Sequence, residues 1–105
     1  MENKNMTAEE FKASLTDQAP LAGISTPLAA LWWDAKGDWS RAHALVDELE
    51  TKDAMAVHAY LHRKEGSTSN AAYWYERCGS DLERLPLETE WSELVKRLVA
   101  GKNQP

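Results

Sequence analysis

The chain has 105 residues, 43% of them hydrophobic and 28% charged, with a net charge of −5. That length fits one domain able to bury roughly 65% of the surface its unfolded chain exposes, and the composition is that of a folded protein. The acidic balance, with no basic stripe, excludes binding to a nucleic-acid backbone; no run of 18 apolar residues exists to span a membrane; and one cysteine, Cys78, excludes an internal disulfide and points to a reducing, cytoplasmic setting.

The first residues, MENKNMTAEEFK, contain neither an apolar run nor a cleavage pattern and do not read as a signal peptide. Thr7 and Glu10 stand at capping-box spacing ahead of Phe11 and Leu15, which predicts a helix from about Ala8 to Asp17, ending before Pro20. In STPLAALWWDAKG, Thr26 is placed to cap, Pro27 to take the first helical position and Gly37 to close the end. Asp38 then caps a third helix whose buried face is Ala42, Leu45, Val46 and Leu49. A fourth runs from a capping Asp53 to Gly66 with Ala54, Val57 and Leu61 as its stripe, and a fifth from Ser69 or Asn70 to Gly79. After a helical turn around SDLERLP, a last amphipathic helix ends at Gly101 with Trp91, Leu94, Val95 and Leu98 on one side. No stretch alternates as a strand would.

Sliding the chain by 29 residues places Gly37 on Gly66, Ser40 on Ser69, Ala42 on Ala71 and Ala30 on Ala59, a helical hairpin written twice. The stretch AKGDWSRAHALVDEL resembles the turn and second helix of a tetratricopeptide repeat, and EGSTSNAAYWYERCG is similar to the Sel-type subclass. HAYLHRKEG…NAAYWYERCG also resembles a group of small bacterial proteins of unassigned function. The helical spacing predicts five to six helices and the length one domain over residues 1–105, with 1–6 and 102–105 frayed; the resemblances imply an all-α fold in antiparallel hairpins with tetratricopeptide-like packing. They imply no activity.

His58 and His62 project from one side of a helix, one turn apart, a spacing that can supply two imidazoles to a transition metal. Ala59 stands where a metalloprotease would carry its general-base glutamate. His43 is the candidate third ligand, with Asp47 one turn further on as a fourth ligand or an orienting partner. The bland reading makes all three half-buried, hydrogen-bonded histidines.

Arg63, beside the N-terminus of the next helix, is a candidate for holding a carboxylate or phosphate, with Asn70 as helix cap or ligand-orienting amide. In YWY, Trp74 and Tyr75 share the core with Ala71 and Cys78 while Tyr73 points elsewhere, so Tyr73 and Tyr60 are expected to be exposed; Trp33 lies near the hairpin turn. Cys78 reads as an inert small hydrophobe, and Asp81, Glu83, Glu88 and Glu90 as solvated charges.

The leading expectation is therefore a small cytoplasmic interaction module, not an enzyme and without a cofactor. It would recognise a peptide or small anionic ligand through His43, His58, His62, Arg63, Asn70, Tyr73 and Trp33. The alternative is a metal-binding protein or small enzyme using a transition metal at His43, His58 and His62. A third reading is a homodimer that buries exposed tryptophans between its subunits.

Overall fold

The expected capping box forms: the Glu10 N–H donates to Thr7 Oγ1 and the Thr7 N–H to Glu10 Oε1, each at 3.0 Å, starting α1 at Ala8–Ala13. The structure, a computed structural model, describes residues 6–101; of the segments 1–6 and 102–105 expected to fray, 1–5 and 102–105 lie outside them, and Met6 is half-buried against the core. The α-helix stops four residues short of Asp17 and tightens into a 3-10 turn, Ser14–Thr16. There Ser14 donates its hydroxyl to the Phe11 carbonyl at 2.6 Å and accepts the indole N–H of Trp32 at 3.0 Å. Five further α-helices follow: α2 Thr26–Ala35, α3 Trp39–Val46, α4 Lys52–Glu65, α5 Thr68–Cys78 and α6 Leu87–Gly101. A 3-10 turn, Leu82–Arg84, precedes α6, and no strand occurs among the described residues. Among the described residues the protein is all-α with six helices, as expected from the periodicity.

Three caps move by one or two residues. Ser25, not Thr26, accepts the Leu28 N–H; Thr51, not Asp53, accepts the Ala54 N–H; and α5 begins at Thr68, after Ser67. In the first two cases a hydroxyl residue with extended backbone lies just upstream, where the cap geometry is met. Helix α3 ends at Val46, so Leu49 falls in the turn toward α4 and is exposed rather than on the buried face.

The 29-residue repeat has a structural counterpart. α2 packs on α3 and α4 on α5, each across a short turn built on a glycine in the left-handed region, Gly37 at φ 91° and Gly66 at φ 93°. Ala30 and Ala59, and Ala42 and Ala71, are all buried, small side chains at corresponding places of the two units. No side chain crowds Gly66, so a Cβ there meets only backbone strain. Gly66→Ala should cost about 1–2 kcal/mol, read from urea unfolding; a neutral effect would show that the turn can relax.

The core gathers Phe11, Leu28, Leu31, Trp32, Val57, Leu61 and Val95, all fully buried, with α6 closing over α2 and α4. Every tryptophan is buried or half-buried. The Trp39 indole N–H donates to the Leu61 carbonyl at 2.8 Å and that of Trp91 to the Leu31 carbonyl at 3.1 Å, satisfying the polar edge of each ring. The homodimer reading therefore lacks the exposed tryptophans on which it was based.

Two acidic residues break the expected pattern. Glu90, expected in solvent, is 0% exposed. It accepts from Arg63 Nη1 at 2.7 Å and from the Tyr75 hydroxyl at 2.6 Å, tying α4, α5 and α6 together. Asp34, at the end of α2, accepts from the Tyr60 hydroxyl at 3.1 Å and from Lys64 Nζ at 2.9 Å. Tyr60 is thereby 3% exposed, against the expectation of an exposed ring. Burial raises the pKa of both tyrosines, helped by the adjacent carboxylates, so both remain donors. Among the described residues no helix is long and apolar enough to cross a membrane.

Candidate metal centre

Trp39, His43 and Asp47 recur at four-residue spacing along α3 and its C-cap, and so share one side of that helix. On α4, His58 and His62 do the same, with Glu65 three residues further on. Because α3 packs against α4, the two rows meet. His43, His58 and His62 each offer a ring nitrogen, and these atoms lie within 4.8 Å of one another. Ring centroids are 4.8 Å apart for His43–His58, 5.0 Å for His43–His62 and 4.8 Å for His58–His62. The three histidines are the only group of this kind among the described residues.

His43 Nε2 and His58 Nε2 are 3.0 Å apart. Two lone pairs or two N–H groups at that distance would repel, so a single proton lies between them. His43 Nδ1 faces Asp47 Oδ2 at 3.9 Å, and His62 Nδ1 is 3.3 Å from Glu65 Oε2. Glu65 at 3.3 Å favours the N–H at His62 Nδ1, and Asp47, beyond hydrogen-bond distance at 3.9 Å, biases His43 electrostatically the same way and leaves its Nε2 with a lone pair. His58 then supplies the shared proton from Nε2, and its Nδ1 lone pair finds no hydrogen-bonding partner. The bland reading, three satisfied core histidines, fails at that atom. Its side chain is 3% exposed, so the unmet lone pair is a real cost.

Aromatic rings wall the cluster on both sides. Trp39 stacks on His43 with centroids 4.8 Å apart and planes at 9°, and Trp74 stacks on His58 at 4.3 Å and 24°. The guanidinium of Arg77 covers Trp74 at 5.1 Å from the ring centroid. Side-chain exposure is 25% for His43, so solvent reaches the cluster along its edge.

Burial, then the neighbouring His43 and His62, push the His58 pKa from its ordinary 6.5 down to about 4. Burial likewise lowers that of His43, with Asp47 and Glu65 acting in the opposite direction. The unfolded chain therefore holds a proton that folded His58 refuses between pH 6.5 and about 4. Stability is full above that window and falls as pH drops through it, by up to about 3 kcal/mol from His58. Urea midpoints of metal-free protein measured across the window test this; a flat profile from pH 7 to 4 would contradict the buried neutral imidazole.

The other expected site residues separate from the cluster. Arg63 is committed to Glu90 and points into the helix interface. Asn70 Nδ2 donates to Ser67 Oγ at 2.9 Å, a local bond at the start of α5. Trp33 packs edge-on against Trp32 and under the Arg41 guanidinium. Tyr73 is 54% exposed as expected and meets the outer edge of Trp74, at the rim. Trp39 and Glu65 escaped notice, although their spacings to His43 and His62 were available; Trp74, assigned to the core, packs against Ala71 and Tyr75 and also covers His58.

A groove of about 630 Å³ lies elsewhere, between the end of α2, α4 and the start of α6, lined by Leu15, Tyr60, Lys64, Leu87 and Trp91 among others. No family model matches the chain, and neither curated proteins nor solved structures give a match.

Proposed function

We propose that the protein binds a divalent transition metal of the zinc class through His43, His58 and His62. The observation that carries this reading is the convergence of three imidazole nitrogens within 4.8 Å, two of them 3.0 Å apart. Metal–imidazole bonds of about 2.0–2.1 Å in a tetrahedron set ligating nitrogens roughly 3.3 Å apart, so closing on an ion needs shifts of about 1 Å. The outer carboxylates Asp47 and Glu65 orient two of the rings and balance the charge of a dication. Three nitrogen donors without an oxygen ligand disfavour magnesium and calcium. Binding moves the proton shared by His43 and His58 onto His58 Nδ1, the atom that lacks a partner, and frees Nε2 for the metal.

Isothermal titration of chelator-treated protein with zinc should give one site per chain. His62→Ala should weaken it by at least tenfold to a hundredfold, the range seen even for losing an outer-shell partner. Wild-type protein that takes up no zinc, cobalt or copper would refute the reading.

A second reading, recognition of a peptide or small molecule, draws support from the 630 Å³ groove, which is of ligand size and largely apolar. It would use Lys64 and Trp91 rather than Arg63, Asn70 and Tyr73. The single buried cysteine, whose thiol pKa is raised by burial, agrees with a reducing cytoplasmic setting.

A further inference from the structure

We infer that the fourth ligand of the bound metal comes from outside the chain, a water molecule or small monodentate anion entering along the His43 edge; this rests on the metal-binding reading above. The described residues provide three ligating nitrogens. The two nearest carboxylates are held at the wrong atoms to add a fourth. Asp47 faces His43 Nδ1 at 3.9 Å and Glu65 faces His62 Nδ1 at 3.3 Å. His43 turns Nε2 toward His58 and Nδ1 toward Asp47, so Asp47 lies across the ring from the nitrogen that faces the cluster; Glu65 is engaged with His62 Nδ1, and moving inward would release that ring.

The walls contribute nothing either. Trp39 presents a ring face to His43 and spends its only polar atom on the Leu61 carbonyl. Trp74 presents a face to His58. A tetrahedral ion held by three imidazoles on one side keeps a position directed away from them. His58 is sealed beneath Trp74, whereas the His43 side chain is one-quarter exposed. The remaining position therefore opens beside His43.

Arg77 gives the ligand a charge preference. Its guanidinium lies over Trp74, which lies over His58, so a positive charge stands one indole ring away from the centre. Its acidic neighbour Glu50 is 3.9 Å away and mostly exposed, a weak partner. Asp47 and Glu65 balance the dication, and the additional charge of Arg77 favours a small anion over a neutral donor. An exchangeable water on such a metal is also the arrangement from which a metal hydroxide forms, which a closed structural site cannot provide.

Cobalt(II) loaded into the full chain in place of zinc, titrated with azide, tests the inference. The expected result is a saturable change in the visible absorption of four-coordinate cobalt. Arg77→Ala should weaken azide binding by about threefold to tenfold through loss of one nearby charge, with cobalt affinity unchanged. A four-coordinate spectrum that azide does not alter, even in large excess, would mean that the chain supplies the fourth ligand. Recovery of azide sensitivity in Asp47→Asn would then identify that ligand as Asp47 and overturn the inference while leaving metal binding intact. Failure to take up cobalt, zinc or copper would instead remove the metal reading itself, and this inference with it.

Discussion

Glu90→Ala is expected to destabilise the protein by about 3–5 kcal/mol, the cost of breaking a buried ion pair by removing one partner. Glu90 is fully buried on α6 and holds Arg63 of α4 through one oxygen and the Tyr75 hydroxyl of α5 through the other. Its loss leaves a hydroxyl with no acceptor inside the helix interface and a guanidinium with no counter-charge. Glu90→Gln preserves shape and one acceptor and should cost less, about 1–3 kcal/mol. Tyr75→Phe removes a donor without leaving a buried charge unpaired and should cost least. Urea unfolding at neutral pH gives all three values. A penalty for Glu90→Ala below that of Tyr75→Phe would show that the ion pair is not what fastens α6 at this point. The Arg63 guanidinium, first expected to receive an anion, already holds the Glu90 carboxylate through Nη1.

Zinc is expected to stabilise the folded chain by about 4 kcal/mol when free metal is a thousandfold above its dissociation constant. The ligands are assembled only in the folded state, because His43 lies on α3 and the other two on α4. Any metal they hold therefore couples folding to binding and pins the two hairpins to each other. His43→Ala should abolish most of this gain while leaving metal-free protein folded, since the His43 side chain is one-quarter exposed and at the cluster's edge. Thermal unfolding with zinc and with chelator separates the two effects. An equal rise in melting temperature for wild type and His43→Ala would place the stabilising metal somewhere else. A large loss of stability in the chelated variant would make His43 a packing residue first.

Much of the fold was legible from local rules. Thr7 with Glu10, Asp38 and the glycines at 37, 66 and 79 marked helix ends because capping and left-handed turns depend on neighbours within a few residues. The apolar faces of α4 and α6 followed from their 3.6-residue period. The spacing of His58 and His62, with His43 one helix away and Asp47 one turn beyond it, made the three histidines candidates before any coordinates. What the chain could not disclose is which helix faces meet. A charge at position 90 reads as solvent-facing from its neighbours, and only the approach of Arg63 and Tyr75 from two other helices makes its burial affordable. Tyr60 likewise turned inward because Asp34 and Lys64 wait there, 26 and 4 residues away along the chain. The histidine centre lies between these cases. Sequence by itself determined that two imidazoles share a helix face, since helical spacing is local; the third imidazole, the stacked tryptophans and the unpartnered His58 nitrogen were decided by the packing of α3 on α4, which depends on side-chain volume and burial summed over the whole core.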